Sequence, residues 1–149
     1  LDKECYDKGL NEYILMENAG LSIKNIILEK GFRSVCIIAG SGNNGADGIA
    51  LARMLLGELD VSLFLPMGVN SKMAKFQFEV YKNYGGTYFE IASKKDINSF
   101  YDCYVDAIFG SGLKRDLSPK ISNIIKKLNK KDGFKIACDI PTGLGKDGK

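Results

Sequence analysis

Histidine and tryptophan are absent from the 149 residues, and proline occurs only three times. Without histidine there is no Ser-His-Asp or Cys-His nucleophile system. Acid–base chemistry must then come from Asp, Glu, Lys, Tyr or Cys. Four cysteines are present, Cys5, Cys36, Cys103 and Cys138. None forms CxxC, and no histidine can complete a zinc site. Cys36 and Cys138 sit inside apolar strand patterns and are expected as buried thiols, which fits a reducing, cytoplasmic setting. No apolar run approaches the ~18 residues of a membrane span, and the opening Leu1-Asp2-Lys3-Glu4 is polar rather than leader-like. No membrane association is expected. The net charge of +3 is mild. The densest basic cluster, Lys126-Lys127 with Lys130-Lys131, reads as a solvated helix face, so nucleic acid is not an expected partner.

The pattern that is present alternates helical periodicity with short apolar runs. Residues 2–30 read as helix, with Leu10, Tyr13, Ile14, Ala19, Ile23, Ile26 and Ile27 at three- and four-residue steps and Gly31 as the stop. Ser34–Ala39 reads as a first buried strand, followed by a glycine loop. A helix follows from Ile49 to Leu56, ended by Gly57. Val61–Leu65, stopped by Pro66, is the second strand. A helix over 72–84 and a Gly85-Gly86 break lead to a third strand, Thr87–Ile91. Residues 94–101 suggest a short helix, and Tyr104–Phe109 a fourth strand. Ser118-Pro119 opens a helix with proline at its first turn, and Phe134–Ile140 is the fifth strand. This alternation predicts an α/β fold, a Rossmann-like three-layer sandwich with a mainly parallel sheet. No repeat or linker divides residues 1–149, which read as one domain. A sheet rarely ends on a strand plus a loop, so the chain is expected to be part of a longer domain.

The loop Gly40-Ser41-Gly42-Asn43-Asn44-Gly45-Ala46-Asp47-Gly48 matches GxGxxG in a strand–loop–helix setting. Its glycines would let backbone N–H groups approach phosphate, aided by the helix dipole. The ordinary dinucleotide fold also places an acid at the end of the second strand for the ribose hydroxyls. Here that strand ends Leu63-Phe64-Leu65-Pro66, and Asp60 stands at its wrong end. An ordinary dehydrogenase or methyltransferase reading therefore loses ground. Asn43, Asn44 and Asp47 are turn-formers in most loops. At the carboxyl edge of a parallel sheet they point instead to ligand binding.

Two acids interrupt apolar strands. Burying Asp106 costs several kcal/mol unless it is paired or binds a cation, about the scale for an ionised group. It reads as a loop cap, a cation ligand or a catalytic acid. Gly110-Ser111-Gly112 beyond it forms a second loop rich in backbone donors. Asp139 stands in Cys138-Asp139-Ile140-Pro141-Thr142-Gly143. In a 3-2-1-4-5 order, strands one, four and five are adjacent, and these loops meet at the switch point where such sheets bind ligands.

The strings GSGNNGADG, DAIFGSGLKR and DIPTGL, in that order and spacing, resemble the YjeF N-terminal domain family, the NAD(P)H-hydrate epimerases. Its usual strings are close to GNGNNGGDG, DALFGTGL-x-R and DIPSGL. Leu15-Met16-Glu17-Asn18-Ala19-Gly20 is similar to the family's LMExAG segment, so the resemblance covers nearly the whole chain. It implies an isomerase that interconverts the R and S hydrates of NADH and NADPH. The S form then serves a dehydratase, fused or separate. It also implies a frequent homodimer and a bound potassium ion. Carried over position by position, Asn43, Asn44, Gly45, Ala46 and Asp47 match one substrate-binding loop. Gly110, Ser111, Gly112, Leu113, Lys114, Arg115 and Asp116 match the other. Asp139 matches a substrate-contacting acid and catalytic group. Asn44, Asp106 and Thr142 match the potassium ligands, with Thr142 replacing the usual serine. A family lysine aligns with Lys72 or Lys75. Ala46 departs from a family glycine, and Gly145-Lys146-Asp147-Gly148 departs from the family's Asp-Ala-Asp-x-Gly.

The residues rationalise such chemistry independently. Epimerising a C6 hydrate requires loss and return of hydroxyl, or ring opening and closure, and so a proton donor and acceptor at one carbon. A partly buried Asp139 suits that task. Asp106, Asn44 and Thr142 offer hard oxygen ligands, suited to an alkali cation rather than a soft metal. A second reading is a non-catalytic scaffold of the same fold, as in mRNA decapping enhancers. Loss of the acids would favour it, and Asp106, Asp139 and Asn43-Asn44 are all present.

Overall fold

A computed structural model describes residues 11–90, 100–108 and 119–138. Among the described residues four helices are defined: α1 (Glu12–Glu29), α2 (Asn43–Leu55), α3 (Lys72–Asn83) and α4 (Pro119–Asn129). Five strands, β1 (Ser34–Ala39), β2 (Asp60–Leu65), β3 (Thr87–Glu90), β4 (Cys103–Ala107) and β5 (Phe134–Ala137), form one sheet in the order β3-β2-β1-β4-β5. Every pairing is parallel. The chain winds outward from β1 in both directions, which leaves a switch point between the carboxyl ends of β1 and β4.

Side-chain alternation on the strands builds a core on each face. Val35, Ile37, Ala39, Leu63, Val105 and Ala107 join α1, α2 and α3 on one side. Cys36, Ile38, Phe64 and Tyr104 meet Ile121, Ile124 and Leu128 of α4 on the other. Near-continuous burial of β1 explains why its sequence reads as an unbroken apolar run.

Element ends differ from the sequence reading for identifiable reasons. The helical reading over residues 2–30 is interrupted at Asn11. Asn11 is extended, and its side chain accepts from the Tyr13 and Ile14 amides at 2.9 and 3.1 Å, so the helix starts at Glu12. The fourth strand begins one residue early, at Cys103, where Asp102 clamps its foot. The Asp102 carboxylate accepts from the Arg33 amide at 2.7 Å, and its own amide donates to Ser34 Oγ at 3.0 Å. The fifth strand ends at Ala137; residues 139 and 140 of the predicted strand lie outside the described residues. So do residues 2–10 and 94–99 of the two helical readings. No helix among the described residues is long and apolar enough to cross a membrane.

Candidate active site

The nine-residue glycine segment is not a loop throughout. Helix α2 begins at Asn43, so Asn43, Asn44 and Gly45 form its first turn and Asp47 lies in the second. Ala46 is helical and fully buried. The alanine that departs from the family string therefore meets no positive-φ requirement and favours the helix.

Two of the three glycines of Gly40-x-Gly42-x-x-Gly45 have a steric reason. A Cβ on Gly40 would sit 2.2 Å from the Ile108 carbonyl oxygen, so the chain leaving β1 passes the end of β4 only as glycine there. A Cβ on Gly45 would sit 1.8 Å from the Gly40 carbonyl oxygen, which lets the helix start directly over the strand end. Gly48, one turn further, faces Ala107, whose Cβ would lie 2.6 Å away. Gly42 differs: a Cβ there would meet nothing within 4 Å. Its lack of a side chain is unexplained by packing, and it stands exposed at the helix N-cap. The N-cap residue Gly42 makes no side-chain cap bond, and a helix start of this kind favours an anionic ligand.

Asn43 is exposed, Asn44 half-buried and Asp47 fully buried. Asp106 lies on β4 opposite Ile38 of β1, so it shares the carboxyl edge of the sheet with the start of α2. It is half-buried, and its Oδ1 accepts from the Ile108 amide at 3.0 Å. The loop-cap role is thus real, and it uses one carboxylate oxygen. Among the described residues, no basic side chain lies within ion-pair distance of Asp106. A half-buried carboxylate of that kind, with an amide-bearing asparagine at the same edge, fits a hard cation. Asp106 also lines a cleft of about 250 Å³ with Tyr104, Ile125, Lys135 and Ala137. Burial pushes the Tyr104 hydroxyl up, which keeps it protonated and unsuited as a base. Gly110 to Asp116, Asp139 and Thr142 lie outside the described residues.

The sequence reading missed two supports of this edge. Gly68, at φ +73°, turns the chain after β2. The Asn70 and Ser71 amides then donate to the Ser41 carbonyl at 2.9 and 3.1 Å, tying the following helix to the glycine segment. A signal was available, since Ser71 precedes a helical pattern and caps α3 through the Ala74 amide at 3.0 Å. The second support is Arg53 of α2. It pairs with Glu17 of α1, and its Nε donates to Gln77 Oε1 of α3 at 3.2 Å. Gln77 is 1% exposed and also donates to Met16 Sδ at 3.6 Å. Gly20 lies where a Cβ would press on Met54, 2.7 Å from its terminal carbon. The segment Leu15–Gly20 therefore docks α1 onto the site-bearing helix. Lys72 and Lys75 are both exposed near the start of α3.

A glycine-rich strand–helix junction at the switch point of a parallel sheet defines a doubly wound, Rossmann-like α/β domain whose ligand edge lies at the ends of β1 and β4. Within that class the particular family is clear. This chain belongs to the family described as YjeF-related protein N-terminus, whose model matches residues 12–149. It is 38% identical over 146 residues to an NAD(P)H-hydrate epimerase of Oenococcus oeni, covering 93% of this chain and 68% of that protein. It is 36% identical over 148 residues to a bifunctional NAD(P)H-hydrate repair enzyme of Archaeoglobus fulgidus, covering 99% of this chain and 31% of that protein. The crystal structure of yeast YNL200c matches with a TM-score of 0.81 at 26% identity, over 95% of this chain and 67% of that one.

Proposed function

We propose that this chain is the epimerase domain of a nicotinamide-cofactor repair enzyme, an isomerase that interconverts the R and S hydrates of NADH and NADPH. The observation that carries the reading is the convergence of the glycine-led α2 N-terminus, Asn43-Asn44 and the half-buried Asp106 at one sheet edge. This occurs in a chain whose relatives are named for that activity. The non-catalytic scaffold is disfavoured because the polar residues of the edge are retained.

In this reading Asn43 to Asp47 and Gly110 to Asp116 bind the substrate, with first-turn amides of α2 facing its phosphates. Asp139 donates and accepts the proton as the C6 hydroxyl leaves and returns on the other face. The isomerisation is balanced without any co-reactant, because the C–O bond broken is the bond re-formed. Asn44, Asp106 and Thr142 would hold a potassium ion, which supplies positive charge at this edge when bound. A partner dehydratase, fused as in the bifunctional relatives or separate, consumes the S hydrate. A homodimer and a cytoplasmic setting complete the proposal, the latter supported by the buried Cys36, Cys103 and Cys138 thiols.

The test supplies purified R hydrate of NADH to the full-length protein and follows the S form by chiral chromatography. Wild type should convert it, and Asp139→Asn should lose at least about a hundredfold, the usual scale of general acid–base catalysis. No conversion above the spontaneous rate by the wild type would overturn the assignment.

A further inference from the structure

Asp106 shares its cleft with a charge of the opposite sign. Lys135 of β5 stands opposite Tyr104 of β4, and Asp106 lies two residues further along β4, opposite Ala137. A strand spacing of about 4.8 Å and two steps of about 3.3 Å put their backbones about 8 Å apart. Both side chains line the cleft of about 250 Å³ beneath α4, whose walls include Ile125, Leu128 and Ile136. The two charged groups are nevertheless kept apart. The Lys135 ammonium donates to the Lys131 carbonyl, in the turn between α4 and β5. That bond draws it toward the amino end of β5, away from Asp106. The carboxylate is thus left to a mobile cation, with a fixed positive charge a short way along the same cleft.

Asp106 belongs to no cluster of three or more His, Cys, Asp or Glu side chains among the described residues. One carboxylate alone attracts a divalent ion twice as strongly as a monovalent one, because Coulomb energy scales with the charge of the ion. Repulsion from Lys135 scales in the same way and offsets that advantage. At about 8 Å, with an effective dielectric of about 40 to 80, the repulsion weakens binding of a monovalent ion about two- to sixfold. For a divalent ion the factor is squared, about six- to thirtyfold.

We infer that Lys135 is a specificity-determining residue of the cation site, a fixed counter-charge that admits a monovalent cation to Asp106 and turns away a divalent one. This rests on the proposed role of Asp106 as a cation ligand. Lys135 touches neither the ion nor the substrate in this arrangement; it acts through the field in the cleft.

The experiment reads binding rather than turnover. The Tm of the full-length protein is followed during titration with potassium, magnesium and calcium chlorides, at an ionic strength held constant with choline chloride, and yields an apparent Kd for each ion. Wild type should be stabilised by potassium at concentrations where calcium and magnesium have no effect. Lys135 is exposed, so Lys135→Gln keeps the fold. That variant should bind calcium about six- to thirtyfold more tightly than wild type, and potassium only about two- to sixfold more tightly. Asp106→Asn should lose the response to both. Equal changes for the two ions in Lys135→Gln, no change for either, or a wild type that prefers calcium overturns the inference and leaves the cation site standing. A potassium response that is absent from wild type, or kept by Asp106→Asn, overturns the cation site itself. The epimerase reading is then decided by R-to-S conversion alone.

Discussion

At the scale of single residues, Asp106 separates structure from function. Its Oδ1 holds the Ile108 amide, and an asparagine side-chain oxygen can do the same. Asp106→Asn should therefore change stability by no more than about 1 kcal/mol, readable as a near-wild-type Tm, while abolishing any stimulation by potassium. A large fall in Tm with potassium response retained would make Asp106 a loop cap and nothing more. The glycines offer a matched pair. Gly45→Ala forces a Cβ into the Gly40 carbonyl and should cost about 3 kcal/mol or more. Gly42→Ala meets no protein atom, so its denaturation midpoint should stay within about 0.5 kcal/mol of wild type. If the proposed substrate loop is right, its KM for the hydrate should rise, because a side chain would then stand on the face the substrate approaches. The sequence motif treats these glycines alike; only the close approach of the helix start to the Gly40 carbonyl distinguishes them. The thiols carry a pH signature. Burial pushes Cys36 and Cys103 from 9.0 up to about 12. The unfolded chain releases those protons near 9.0 while the folded chain keeps them. Their contribution to stability is therefore intact below pH 9 and is lost as pH rises toward 12. Denaturant titrations across that window should show the decline, and iodoacetamide at neutral pH should label neither thiol without unfolding.

At the scale of elements, α2 is the part that matters most, and it is held at both ends. Its start rests on Gly40 and is laterally tied through Ser41 to the segment preceding α3. Its far half is bound to α1 and α3 through Arg53. Arg53→Met should leave the Gln77 amide buried with a bond missing and cost about 1–3 kcal/mol, measurable by urea titration. An unchanged midpoint would show that the apolar contacts alone hold the three helices. Legibility also divides by element. The sheet order was readable because buried parallel strands appear as apolar runs between helical periods. The start of α2 was not, because glycine and asparagine signal a loop. Here they are helical because Gly45 and Gly48 let the helix lie directly against Gly40 and Ala107. Asn11 likewise hid a helix start within an apparently continuous periodicity.

At the scale of the whole molecule, the account joins a doubly wound sheet to chemistry on one of its edges. The carboxyl ends of β1 and β4 bring Asn43, Asn44 and Asp106 together although more than 50 residues separate them in the chain. That convergence was visible in the sequence because acids inside apolar strands are costly and therefore informative. The bonds from Asn70 and Ser71 to Ser41 were invisible, being main-chain contacts that leave no trace in side-chain identity. The chain spans 68% of a stand-alone relative and 31% of a bifunctional one, so the whole-protein test belongs on the full-length polypeptide. The most direct measurement is the rate of R-to-S conversion of NADH hydrate by wild type, Asp106→Asn and Asp139→Asn, each checked for the same Tm. The account predicts rapid conversion by the wild type, a loss of about a hundredfold or more in folded Asp139→Asn, and a slower rate in folded Asp106→Asn that potassium does not raise. Equal rates in all three, or no wild-type conversion above the spontaneous background, would contradict it.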